Sequence, residues 1–184
     1  MLDLTVINPT WTLFLDRDGV INHEKPLDYI RKPDEFRFYD GVPEAIAAFS
    51  ARFGLVFIVT NQKGIGKGLM TEQDLSAIHD RMMQVISAAG GRIDRIYHCP
   101  DLDEASPCRK PNPGMGFRAK MEFPQIAFTT SVMVGNTLGD MQFGRNIGAK
   151  TVFIPSTKPM PELPHPLIDA VFSGLPALAA AMNT

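Results

Sequence analysis

The chain has 184 residues, 45% hydrophobic and 21% charged, with a formal net charge of −2. That length suits a single domain over 1–184 with a sizeable core, and the composition is that of a soluble globular protein. The near-neutral balance gives no reason to expect nucleic acid or an anionic membrane as partner, so any basic group that matters acts locally.

In chain order, the opening MLDLTVINPT lacks a basic region and a continuous apolar one, so no signal peptide is expected. No apolar run approaches the roughly 20 residues that span a bilayer, and the cytoplasm is the default address. TLFL (12–15) reads as a strand and runs straight into Asp16 and Asp18, with Gly19 behind them. Neighbouring carboxylates repel, so their place at the end of a buried strand calls for a chemical reason. The segment 22–41 is long for a plain strand-to-helix connection, and such loops build binding sites. A helix over 42–51 accepts Pro43 in its first turn.

LVFIVT (55–60) is a second strand, leading into Asn61, Gln62 and the glycine-rich GIGKG (64–68). That stretch lacks the G-x4-G-K-[ST] spacing of a nucleotide loop and reads as a turn. T-E-Q-D opens a helix over 71–89, with Thr71 and Asp74 forming a capping box. A strand over 92–98 is followed by a loop ending in Cys108, Arg109 and Lys110. Next come a helix over 113–122, with Pro113 in its first turn, and a strand over 131–135. Asn136 and Asp140 follow, with a helix over 138–147. After a strand over 151–154, the Pro-rich 155–166 reads as a surface excursion before a strand over 170–172 and a helix over 175–182. Strands that alternate with helices and are apolar almost throughout predict an α/β fold: a mostly parallel sheet with helices on both faces.

In such a sheet ligands bind beyond the carboxyl ends of the strands. Asp16, Asp18, Thr60, Asn61, Gln62, Arg109, Lys110, Asn136 and Asp140 all fall there. The set suits phosphoryl transfer, which is mostly positioning and charge neutralisation. A carboxylate can attack phosphorus as nucleophile. It approaches an anion only with a cation between them, and Mg²⁺ is content with one or two protein carboxylates plus substrate. A lysine and a hydroxyl can hold the phosphate oxygens.

The motifs carry a resemblance. FLDRDGVIN resembles the first, D-x-D-G, motif of the haloacid dehalogenase superfamily of phosphatases; VTNQ resembles the second, RKPNPGM the third and VGNTLGDMQFGRNIGAKTV the fourth. More narrowly, TNQKGIGKGLMTEQDL and CRKPNPGM resemble the D-glycero-D-manno-heptose bisphosphate and histidinol-phosphate phosphatases, a subfamily without a large cap domain. The resemblance implies a Rossmann-like fold and a Mg²⁺-dependent phosphatase of a small phosphorylated metabolite, a sugar bisphosphate favoured. It implies Asp16 as nucleophile and Asp18 as acid and then base. Thr60 and Lys110 would bind phosphate, supported by Asn61 and Gln62, with Arg109 on substrate, as on a second phosphate. Asp16, Asp18 through its carbonyl, and Asn136 would hold the metal, and Asp140 would support the site from behind.

Two departures stand out. Asn136 occupies a position where the family usually has a metal-binding aspartate, which raises a non-catalytic phosphate-binding relative as an alternative. HCPDLDEASPC (98–108) lies where heptose-branch relatives carry a zinc loop of C-x-H followed by C-x-C. Here the matching residues are Cys99, Asp101, Ser106 and Cys108, so structural zinc is not expected. Two cysteines are also too few for a disulfide framework, and the loop is read as metal-free with two thiols. His23, His79 and His165 have no partner spacing and are assigned surface or local hydrogen-bonding roles, and Trp11 is assigned to packing. A phospho-receiver domain is set aside, because its aspartate follows a central strand late in a shorter chain, whereas Asp16 follows the first.

Overall fold

The computed structural model describes residues 2–182. Among them six parallel strands form one sheet, in the order β3-β2-β1-β4-β5-β6. The strands are β1 (Thr12–Leu15), β2 (Leu55–Asn61), β3 (Arg95–Cys99), β4 (Ser131–Gly135), β5 (Lys150–Phe153) and β6 (Ala170–Val171). The helices are α1 (Val42–Arg52), α2 (Lys63–Gly66), α3 (Glu72–Ala88), α4 (Gly114–Glu122), α5 (Leu138–Ile147) and α6 (Leu175–Ala181).

The continuous apolar runs arise because both faces of the sheet are covered. Successive strand residues point to opposite faces. Leu13, Leu15, Val56, Ile58, Val132 and Val134 pack on the side of α1 and α6 and the second half of α3. Phe14, Phe57, Val59 and Met133 face the other way, onto Met115 and Ala119 of α4 and Phe143 and Ile147 of α5. Trp11 lies in the first of these clusters, as its packing role required.

The chain moves outward from β1 through β2 to β3, then returns to place β4 on the other side of β1. The strand order therefore reverses beside β1 and β4, and a crevice opens there beyond their carboxyl ends. The long 22–41 segment stands over that crevice as a flap. It is closed at its base by an antiparallel bridge between Asn22 and Phe38 and by the bond from the His23 amide to the Arg37 carbonyl. At its tip Leu27 is fully exposed, with a φ of 59°.

Most predicted boundaries hold to within a residue or two, and β3 shows the largest shift. It starts at Arg95 instead of 92 because the preceding residues dock sideways. The Asp94 carboxylate accepts from the Val56 amide at 2.8 Å, and the Ser50 hydroxyl accepts from the Arg92 amide at 2.8 Å. The expected turn at 64–68 overlaps the single helical turn α2. The Thr71–Asp74 capping box forms, and Thr137 with Asp140 makes a second one at the start of α5.

α5 lies close to the sheet because residue 144 is glycine. A Cβ there would come within 2.6 Å of Thr151 Cγ2 and 3.0 Å of Met133 Cβ, whereas one at Gly139 meets nothing nearer than 3.5 Å. Gly144→Ala should therefore destabilise the fold by about 1–3 kcal/mol through overpacking. Gly139→Ala in the same helix should be neutral or stabilising by up to about 1 kcal/mol. Denaturant midpoints of the two variants check this, and equal effects would show that α5 can retreat from the sheet.

Candidate active site

Asp16 continues β1 by one residue, its amide donating to the Val134 carbonyl of β4 at 2.9 Å. Its carboxylate meets the ammonium of Lys110, which reaches it from beyond β3. Lys110 Nζ lies 2.8 Å from Asp16 Oδ1, 2.6 Å from Asp140 Oδ1 and 2.8 Å from the Val59 carbonyl. All three charged side chains are buried. Burial alone would lower the Lys110 pKa, but Asp140 and Asp16 raise it and keep the ammonium charged. Burial pushes Asp16 up to about 7 against the pull of Lys110, with Asp140 adding to the rise. A divalent cation at that carboxylate would oppose burial and favour the anion.

Local structure fixes each partner. Asn61, the last residue of β2, accepts from the Lys110 amide at 3.0 Å and donates to the Lys110 carbonyl at 3.1 Å. One side chain thus holds the lysine backbone from both sides. Asp140 divides its oxygens: Oδ2 caps α5 through the Thr137 amide and hydroxyl, and Oδ1 faces Lys110.

Asp18 is held apart from that cluster. Its carboxylate accepts from Arg17 Nη2 at 2.9 Å on both oxygens, from Asn22 Nδ2 at 2.9 Å and from Gln62 Nε2 at 2.9 Å. Gln62 also donates to the Thr60 hydroxyl at 2.9 Å. Burial would raise the Asp18 pKa, yet the Arg17 guanidinium and these hydrogen bonds outweigh it and hold the carboxyl below its usual range. Arg17 is itself buried, and its Nη1 lies 3.1 Å from His79 Nε2 on α3. Burial, with Arg17 beside it, depresses His79 to about 3, so the ring is neutral.

The residues fit a divalent cation. Asn136, at the end of β4, is 1% exposed; its Nδ2 donates to Thr157 Oγ1 at 2.8 Å, while its Oδ1 is buried and accepts no hydrogen bond. An orphan acceptor on the strand next to Asp16 suits an oxygen-seeking ion. Gly19 leaves room for this amide: a Cβ there would lie 2.0 Å from Asn136 Nδ2, and its φ of 83° favours glycine. Beside Asp18 a cavity of about 460 Å³ opens beneath the flap, with Arg17, Lys25, Lys67 and Lys158 among its lining.

Two expectations need adjustment. Arg109 is buried, and its Nη1 donates to the Asp101 carbonyl at 3.3 Å, so the guanidinium braces its own loop. Cys99 and Cys108 are not two thiols: a disulfide joins them across a Cα separation of 5.5 Å. A disulfide sulfur is no thiolate and a poor metal ligand. An Asp101 carboxylate oxygen and the two sulfurs lie within 4.8 Å of one another.

The family described as Polynucleotide kinase 3 phosphatase matches residues 12–155, from β1 to just past β5. A D-glycero-alpha-D-manno-heptose-1,7-bisphosphate 7-phosphatase of Campylobacter jejuni is 43% identical over 145 residues, covering 79% of this chain and 82% of that protein. This chain belongs to the haloacid dehalogenase superfamily of phosphatases. Other members lie nearly end to end with it. A D-glycero-beta-D-manno-heptose-1,7-bisphosphate 7-phosphatase of Pseudomonas aeruginosa is 35% identical over 173 residues, covering 92% of this chain and 96% of the relative. The crystal structure of a D,D-heptose 1,7-bisphosphate phosphatase from B. bronchiseptica, complexed with magnesium and phosphate, superposes with a TM-score of 0.82. It is 30% identical and covers 94% of this chain and 98% of its own. The fold is thus the mostly parallel sheet of haloacid dehalogenase phosphatases, without a large cap.

Within this phosphatase fold the predicted residues gather on one crevice, Arg109 excepted in its orientation. Sequence reading missed Arg17 and His79. An arginine between two aspartates reads as a solvated charge, and the helical period that puts His79 on the buried side of α3 marks burial without naming a partner.

The neutral His79 carries a pH signature. In the unfolded chain a histidine binds its proton below about 6.5, whereas the folded ring resists until about 3. Its contribution is therefore lost as pH falls through 6.5, by about 2 kcal/mol at pH 5. Asp16, whose folded pKa is raised, works in the opposite sense, so the informative quantity is the difference between wild type and His79→Gln. Urea midpoints from pH 8 to pH 5 should show wild type losing ground to the variant below pH 6.5. A constant difference across that range would contradict the buried neutral ring.

Proposed function

We propose that the chain, as one domain over 1–184, is a Mg²⁺-dependent phosphatase that removes the 7-phosphate of D-glycero-D-manno-heptose 1,7-bisphosphate through an aspartyl-phosphate on Asp16. The observation that carries the reading is the Lys110 ammonium, buried between Asp16 and Asp140 beside the unpartnered Asn136 oxygen. The heptose bisphosphate follows from the activity printed for relatives covering most of the chain. The cavity lining mixes Asp18, Glu24 and Asp28 with Lys25, Lys67 and Lys158; Lys25 pairs with Glu35 and Lys158 with Glu24, which leaves Lys67, over the Tyr29 ring, as the cation that supports a second phosphate. It is a soluble metabolite, and no helix among the described residues is long and apolar enough to cross a membrane. We place the reaction in the cytoplasm.

In the first step an Asp16 oxygen attacks phosphorus, the bond to the sugar oxygen breaks, and Asp18 protonates the departing oxygen. In the second, Asp18 takes a proton from water as that water attacks the same phosphorus, freeing phosphate and restoring Asp16. The resting Asp18 is held ionised, the form the second step uses. An arriving phosphate is a like charge beside it and raises its proton affinity for the first. Lys110 and the Thr60 hydroxyl bind the transferring oxygens, while Asn61 and Gln62 hold those two groups in place. The Asp16 carboxylate, the Asp18 carbonyl and Asn136 would hold Mg²⁺, whose charge offsets the repulsion between carboxylate and phosphate.

Purified protein with Mg²⁺ should release phosphate fastest from heptose 1,7-bisphosphate in a panel that includes both anomers and histidinol phosphate. Preference for histidinol phosphate would move the assignment to that activity. Asp16→Asn should cut turnover at least about a thousandfold with the fold retained, because a neutral amide cannot form the acyl phosphate. Near-normal turnover in that variant would refute the mechanism.

Asn136 brings an oxygen without a charge, so the site is one negative charge poorer against the cation. Asn136→Asp should therefore lower the Mg²⁺ concentration for half-maximal rate by about tenfold, the ratio given by roughly 1.4 kcal/mol. A wild type silent at every Mg²⁺ concentration, alongside an active Asn136→Asp, would establish the non-catalytic alternative.

A further inference from the structure

His79 is a buried ring that the mechanism above does not use. It lies on α3, a 17-residue helix with a capping box at its start and Leu75, Ile78, Met82 and Ile86 buried along the same side. Its Nε2 meets Arg17 Nη1 at 3.1 Å. A guanidinium has donors and no acceptor, so Nε2 must accept and the ring proton sits on Nδ1. On the far side of the same guanidinium, Nη2 reaches both oxygens of Asp18 at 2.9 Å. Arg17 is 1% exposed, so water cannot replace a lost partner cheaply.

We propose that His79 is a positioning residue for the phosphatase reaction: it fixes the plane of the Arg17 guanidinium, and through it the direction of the Asp18 carboxylate. The inference rests on the assignment of Asp18 as acid and base. Asp18 lies in the irregular segment after β1, where backbone alone would leave its side chain free to turn. Asn22 and Gln62 reach it from neighbouring loops, whereas His79 brings the rigidity of a packed helix to the same carboxylate. Acid–base catalysis is sensitive to such placement, since a proton moves only across a formed hydrogen bond. A side chain that cannot accept at this position leaves Nη1 unpaired, with its Cζ–Nη1 bond free to turn, and the guanidinium then rests only on its neighbour Asp18, through Nη2 and through Nε at 3.3 Å.

The test uses the full chain with Mg²⁺ and the best substrate of the panel. His79→Ala should lower kcat about tenfold with KM within twofold of wild type. His79→Gln, whose amide oxygen still accepts, should keep at least half of kcat. Combining His79→Ala with Arg17→Ala should cost no more than Arg17→Ala alone, because one acts through the other. A separate readout is nitrogen NMR of the Arg17 guanidinium, where hindered rotation about the Cζ–Nη1 bond should persist in wild type and His79→Gln and disappear in His79→Ala. Should His79→Ala fail to fold, wild type and His79→Gln still decide: hindered rotation and retained kcat in both support the role, and freely rotating Arg17 in wild type overturns it. Equal losses for Ala and Gln, multiplicative losses with Arg17→Ala, or full kcat in folded His79→Ala would also overturn it. A wild type with no turnover on any phosphate monoester defeats the functional assignment instead, and the NMR readout then decides the positioning role alone.

Discussion

The rest of the site depends on one buried cation. The Lys110 ammonium is shared by Asp16, just past β1, and Asp140 from α5, and donates to the backbone of β2. Three segments distant in sequence therefore share a single charge. Burying such a group is costly, and it is tolerated because each of its three donors has an acceptor. Removing one member of a buried pair typically costs about 3–5 kcal/mol, since the remaining charge is left uncompensated.

From that centre the two aspartates acquire different characters. Asp16 is surrounded by burial and one shared cation, and its proton affinity rises. Asp18 has a guanidinium fork and two amide donors to itself, and its proton affinity falls. Two carboxyls two residues apart are thus separated chemically by their neighbours. In the proposed reaction Asp16 must be kept ionised by a cation while Asp18 is ionised at rest, and the two carboxyls have different partners to match.

Much of this was legible in the amino-acid order. The strand ends were visible because parallel strands covered on both faces are apolar throughout and stop at polar residues, as TLFL stops at Asp16 and SVMVG at Asn136. The capping box at Thr71 was legible because its chemistry is local. What could not be read was any contact whose partners meet only after folding. The bond from Arg17 to His79 spans 62 positions, and nothing local distinguishes a buried arginine from a solvated one. The orientation of Arg109 went unread for a related reason: the motif placed it next to Lys110 but did not say that its Nη1 would bond the Asp101 carbonyl. The disulfide went unread because two cysteines nine residues apart can lie close together without being bonded, and the bond depends on how β3 and the 100–110 segment are placed.

The Asn61 clamp has a consequence for how this phosphatase can change. By bonding both the amide and the carbonyl of Lys110, Asn61 treats that residue as one more rung at the carboxyl end of β2. The lysine's register thus belongs to the sheet and not to the loop that leads to it. The segment between Cys99 and Lys110 is consequently free to be rebuilt, with sulfur bridge, metal or plain turn, while the ammonium stays where the carboxylates need it. A working centre and an evolvable rim can then coexist a few residues apart, because a single amide side chain separates one from the other.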